Sequence, residues 1–132
     1  MDTHNEPAKT YTVVDTLEEM RKLTSKKGWN SYDAEPIPEE VIDNAIALVK
    51  TLSYMPEVYP VATGNVQMEW DRSDGGYLEV TVLEDPDEVK VYLDTPKQNY
   101  NRYMRVPTSC VRRISTDFKN GRMADGCETI SD

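Results

Sequence analysis

The chain has 132 residues, a size that fits one domain and can bury a core without disulfide or metal staples. Charged residues make up 30% and the net charge is -9, a balance that repels nucleic acid and anionic membrane and favours basic partners. No apolar run approaches the about 18 residues that would suggest a membrane span, and the opening MDTHNEPAKT lacks the basic start and apolar stretch of a secretion signal.

Residues 1–14 are polar and are expected to be flexible, followed by a single domain over 15–122 and a disordered acidic tail over 123–132. Thr16 and Glu19 have the spacing of a capping box. Leu17, Met20 and Leu23 then recur at helical spacing, and Gly28 suits the left-handed position after a helix that ends near Lys27. A second helix is predicted from Pro38, a residue that suits a first helical position. Val41, Ile42, Ala45, Ile46, Val49 and Leu52 form its apolar stripe, and it stops before Pro56.

The period then changes from 3.6 to 2. Val66, Met68 and Trp70 alternate with polar residues, as do Leu78, Val80 and Val82, and then Val89, Val91 and Leu93. Turns fall at Ser73–Gly76 and at Glu84–Glu88. This predicts an antiparallel meander with one apolar face, covered by the helices. Val58–Ala62 reads as an edge strand because of Pro60, and Tyr100–Val106 reads as a further strand. Ser109–Asn120 reads as a short helix with Cys110, Val111, Ile114 and Phe118 on one side. The predicted class is α+β: two N-terminal helices on a three- or four-stranded antiparallel meander, then a short C-terminal helix.

Charge is uneven along the chain. Residues 1–96 carry 8 Lys/Arg against 20 Asp/Glu, a balance of -12, whereas residues 97–122 carry 7 Lys/Arg against Asp117 alone, a balance of +6. Within this basic segment Arg102, Arg105, Arg112 and Arg113 are interleaved with Tyr100 and Tyr103. Arginine forks and aromatic faces suit phosphates, bases and acidic protein surfaces, so these residues are the candidate partner-binding set. The alternative is that the segment folds back on the acidic body as internal charge balance. Glu84, Asp85, Asp87 and Glu88 form a secondary acidic surface. They lack the spacing of a calcium loop and read first as a hairpin turn.

Catalytic chemistry has little to stand on in the sequence. His4 is the single histidine, so a histidine-activated nucleophile is not expected. There is no phosphate-loop or dinucleotide motif, and too few Cys and His for a zinc site. No metal and no cofactor are expected. Cys110 and Cys127 have no C-x-x-C spacing and read as reduced thiols, with a disulfide between them as the open alternative.

The stretch GWNSYDAEPIPEE at residues 28–40 places Trp29, Tyr32 and several turn-forming residues between the two helices. It reads as a structural corner in which Trp29, Tyr32 and, from the neighbouring strand, Trp70 bridge helices and sheet. The rival reading is a ligand pocket walled by Trp29, with Asp33 or Glu69 as its polar group. Gly28, Trp29, Tyr32, Asp33, Ala34 and Pro36, followed by Gly64, Val66, Met68, Glu69 and Trp70, resemble a widespread group of small bacterial and phage proteins. That group shares a G-W-[DN]-x-Y-[DG]-A corner and a P-x-x-G-x-[VI]-x-[LM]-E-W strand. The match covers about residues 15–94. The resemblance implies a fold and a bacterial or phage setting, and no reaction.

The expectation is therefore a non-enzymatic binding protein in a bacterial host cytoplasm. Its specific form is a phage or mobile-element inhibitor, anti-CRISPR-like, that blocks a bacterial defence complex by occupying a protein or nucleic-acid-binding surface. A protein partner is favoured and a membrane is not. The alternative is an antitoxin or immunity-type partner, and an enzyme is the third reading.

Overall fold

A computed structural model describes residues 5–123 and 127–130. Two helices, α1 (Asn5–Leu23) and α2 (Glu39–Val49), precede five strands: β1 (Glu57–Val61), β2 (Asn65–Asp71), β3 (Tyr77–Val82), β4 (Glu88–Thr95) and β5 (Tyr100–Pro107). A 3₁₀ turn at Thr108–Cys110 leads into the last helix, α3 (Val111–Lys119). Every strand pairs with its chain neighbour, giving an antiparallel sheet in the order β1-β2-β3-β4-β5. The class is α+β as the sequence predicts, with five strands where three or four were expected. The additional pairing comes from both flanks, where β1 and β5 dress the three central strands.

Alternation decides what each face of the sheet does. Val66, Met68, Trp70, Leu78, Val80, Val82, Val89, Val91, Leu93 and Val106 point to one side and are buried. Against them pack Leu17 and Met20 of α1, Val41, Ile42, Ala45, Leu48 and Val49 of α2, and Val111, Ile114 and Phe118 of α3. This is the half-covered antiparallel sheet expected of strict two-residue periodicity.

The start of α1 departs from the sequence reading. Thr16 lies inside the helix, and its hydroxyl donates to the Thr12 carbonyl four residues back at 3.0 Å, so it is not a cap. Val13 and Val14 pack against the core and extend the apolar stripe one turn upstream, which carries helix through much of the segment expected to be flexible. Residues 1–4 of that segment, His4 included, lie outside the described residues. The helix also ends at Leu23 rather than near Lys27. There the buried Thr24 hydroxyl donates to the Met20 carbonyl at 2.8 Å, and the Thr24 carbonyl accepts from Ile37 N–H at 2.9 Å.

The corner between α1 and α2 is held by backbone. Gly28 has φ of +80°, and a Cβ there would stand 2.9 Å from the Tyr32 carbonyl oxygen, so only glycine fits without strain. Trp29 is half-buried and donates from its indole to the Glu35 carbonyl at 2.7 Å. Trp70 is buried and donates to the Tyr54 carbonyl at 2.9 Å. Both indoles tie chain segments together. Tyr32 does not: it is 82% exposed. Gly28 and Ser31 both have positive φ, and the loop they turn projects the Tyr32 ring outward.

The far end of α3 is fixed by Arg72, from the turn between β2 and β3. Its guanidinium donates to the Phe118 carbonyl at 2.8 Å, lies 4.7 Å from the Phe118 ring centroid and pairs with Asp74 at 2.9 Å. It thus adds a second donor to a C-terminal carbonyl that Gly121 N–H also reaches at 3.1 Å, while supplying the positive charge that end favours. The tail expected to be disordered is partly docked. Cys127 packs against the core, and Ile130 N–H donates to the Arg105 carbonyl at 2.7 Å. Residues 124–126 and 131–132 of that tail lie outside the described residues.

Candidate functional site

The face of the sheet turned away from the helices carries the main concentration of unusual chemistry. Its register is fixed by the two-residue alternation and by tight turns. Glu57 stands opposite Glu69, Glu69 opposite Glu79, Glu79 opposite Tyr92 and Tyr92 opposite Tyr103. One row across all five strands therefore holds three carboxylates followed by two tyrosines. Like charges directly opposite each other on a sheet are destabilising, so this row works against the fold.

Neutral donors within each strand make the row tolerable. Tyr59 donates its hydroxyl to Glu57 at 2.9 Å, the Gln67 amide donates to Glu69, and Tyr77 donates to Glu79 at 2.9 Å. Each donor lies two residues from its acceptor, on the same face. Among the described residues none of the three glutamates is in an ion pair. Their negative field is felt by the phenols: the Glu57 hydrogen bond, ahead of all other causes, raises the Tyr59 hydroxyl above the ordinary tyrosine value of 10.0. Tyr77 is raised further, first by burial and then by Glu79. Both phenols remain neutral donors at physiological pH.

The tyrosines form a ladder. Tyr77 and Tyr92 have ring centroids 6.2 Å apart, and Tyr92 and Tyr103 4.5 Å apart with planes tilted by 34°. Tyr103 is 77% exposed. Tyr92 lies on the face opposite the one the helices pack against, and its hydroxyl receives a hydrogen bond from the Asn101 amide at 2.8 Å. Beside the ladder, Glu79, Thr81, Lys90, Tyr92, Tyr103 and Arg105 surround a shallow depression of about 360 Å³. The strand residues on this face include Glu57, Glu69, Asp71, Glu79, Glu88 and Asp94 against Lys90 and Arg105.

The basic segment does not form one surface. Tyr103 and Arg105 lie on the outer face of β5, and Arg105 is tied to Glu88 through a 3.0 Å hydrogen bond from Nε. Arg102 has the opposite parity and is exposed at the sheet edge. Tyr100 packs against the core. Arg112 and Arg113 are exposed on α3, where they border a separate cavity with Cys110 and Cys127. Strand alternation and the change from β5 to α3 separate residues that are adjacent in sequence.

The acidic loop is divided as well. Asn44 of α2 donates to the Leu83 and Glu84 carbonyls at 2.9 and 3.1 Å. Asp85 accepts from Asp87 N–H at 2.9 Å, and Thr108 donates to the Pro86 and Asp87 carbonyls. These are the duties of a hairpin turn, while Glu88 belongs to the outer face. Among the described residues no cluster of three His, Cys, Asp or Glu side chains is placed to hold a metal ion.

The glutamate row was readable in principle. Glu69 and Glu79 are equidistant from the 72–76 turn, and Glu57 and Glu69 from the turn at 62–64, so closing either hairpin sets them opposite each other. Parity alone marks each glutamate as outward and says nothing about its neighbour across the strands. Comparisons with protein-family models, with curated proteins and with solved structures find no match for this chain.

Proposed function

We propose that this is a non-enzymatic binding protein whose contact surface is the outer face of the sheet and whose partner is a basic protein surface. The observation that carries the reading is the cross-strand row Glu57–Glu69–Glu79 running into Tyr92 and Tyr103. Among the described residues the row opposes like charges with no ion-paired cation, so a cationic partner would relieve a repulsion between its glutamates. Tyrosine is enriched at protein interfaces because it offers large rigid area with a polar tip. Exposed rings also accept arginine and lysine by cation–π contact.

A basic protein surface of this kind is what nucleic-acid-binding complexes present to phosphates. An acidic sheet face seated there excludes the nucleic acid by occupancy. This supports inhibition of a bacterial defence complex as the biological role, in line with the resemblance of the corner and the Trp70 strand to bacterial and phage proteins. Of the arginines expected to bind, only Arg105 contributes to this face, and it does so beside Tyr103.

The test is affinity capture from a bacterial host with the intact chain and with a triple Glu57→Gln, Glu69→Gln, Glu79→Gln variant. The expected result is a basic, nucleic-acid-binding protein recovered by the natural chain, released from its nucleic acid, and lost by the variant. Equal recovery by an Arg112→Ala, Arg113→Ala variant is also expected. Capture that survives the glutamate changes and fails with the α3 arginines would move the site to α3.

A further inference from the structure

Cys110 and Cys127 come together although 16 residues separate them in the chain. Cys110 closes the 3₁₀ turn ahead of α3, and Cys127 lies in the docked segment 127–130. Both are half-buried free thiols, both pack against the core, and both line one cavity of about 600 Å³ with Ser53, Arg113 and Asp117. Cys110 is near enough to act on the ionisation of Cys127. Independently, Ile130 N–H is bonded to the Arg105 carbonyl, so the segment carrying Cys127 meets the edge of β5 at Arg105.

We propose that Cys110 and Cys127 are a reversible dithiol–disulfide pair that, when oxidised, fastens the 127–130 segment onto the edge of β5. The oxidant class is a small-molecule disulfide such as glutathione disulfide. The Cys110 thiolate attacks one glutathione sulfur, the glutathione S–S bond breaks, and the first glutathione thiolate leaves and takes a proton. Cys127 then gives up its proton and attacks the Cys110 sulfur. The protein S–S bond forms and the second glutathione departs. Two protein thiols lose two electrons and two protons in total, and one glutathione disulfide becomes two glutathione thiols.

The order of attack follows from the surroundings. Burial, and then the Cys110 thiol, push Cys127 up to about 11, with Arg113 pulling it down and Asp117 adding to the rise. Cys127 is thus a poor first nucleophile at neutral pH and acts as the resolving thiol. The consequence is local. A strand edge is a template for unwanted pairing, and the fastened segment covers the Arg105 end of β5.

The experiment equilibrates the full chain in glutathione buffers of rising oxidised fraction, quenches with a maleimide, and reads intact mass and peptide map. Two adducts are expected in the reduced arm. In the oxidised arm no adduct is expected, with a mass loss of about 2 Da and a Cys110–Cys127 linked peptide. Amide exchange at Ile130 should slow by about tenfold or more on oxidation, since a tethered segment opens less often. Cys127→Ser should leave Cys110 as a glutathione adduct with Ile130 exchange unchanged. Two maleimide adducts, or mixed disulfides on both cysteines, in the oxidised arm would overturn the pair. A disulfide that forms without protecting Ile130 would overturn the fastening.

Discussion

The two faces of the sheet follow opposite rules. The inner face is Val, Leu, Met and Trp set against three helices, where each residue is placed by what it excludes from water. The outer face places Glu57, Glu69 and Glu79 opposite one another and leaves Tyr92 and Tyr103 without a helix above them. The first arrangement stabilises the fold and needs no further reason. The second costs stability, and a pattern that costs stability in the free molecule points to a contact made with something else.

The inner face should break hardest. Phe118 is 2% exposed and holds α3 to the sheet together with Arg72, so Phe118→Ala should destabilise by about 3–5 kcal/mol. The denaturant midpoint would fall with little change in slope. Partner binding measured well below that midpoint should persist, because the outer face is untouched.

Tyr92→Ala is the matching change on the other side. It removes the middle ring of the ladder, and its effect on stability should stay near about 1 kcal/mol, the scale of aromatic pair contacts. Affinity should drop by tenfold or more, as for a central interface tyrosine. A stability loss as large as that of Phe118→Ala, with binding retained, would make the ladder structural.

The comparison was half legible from sequence. Alternation in Val66–Trp70, Leu78–Val82 and Val89–Leu93 is enough to name the inner face, since a one-residue slip would expose every apolar side chain. The corner residues Trp29 and Trp70 were legible because a tryptophan between helix and strand has few other uses. Tyr32 was not, because its exposure depends on the positive φ of Gly28 and Ser31. The basic run 97–122 is not one surface because adjacency in sequence is not adjacency in space. A strand sends Arg102 and Arg105 to opposite faces, and Arg112 and Arg113 follow on a helix elsewhere. The docked tail was hidden because nothing local in residues 127–130 marks them as partners of β5.

Neutralising the glutamate row should sharpen the contrast. Glu57→Gln, Glu69→Gln, Glu79→Gln should leave stability unchanged or raise it by up to about 1 kcal/mol, because cross-strand repulsion is removed. The same variant should lose partner affinity and much of its salt dependence. This opposition of signs, more stable and less active, is what a contact surface predicts and a structural one does not.

The smallest effect lies at the rim, in the turn that joins β2 to β3. Arg72, and then Gly76 N–H, hold the Asp74 carboxyl below its ordinary value of 3.8. A carboxyl depressed in the folded state adds stability above its unfolded value and gives it up as pH falls through the folded one. Asp74→Asn should therefore show a shallower loss of stability below about pH 4 than the natural chain. Parallel acid profiles for the two would remove Asp74 from the account of how α3 is anchored.

The most direct measurement is a titration of isotopically labelled protein with an arginine-rich peptide at physiological salt, followed through backbone amide shifts. Shifts concentrated on β2, β3 and β4 around Glu69, Glu79 and Tyr92, and absent in the triple glutamine variant, are the predicted result. Shifts confined to the 84–87 loop, or a variant that responds like the natural chain, would contradict the outer face as the binding surface.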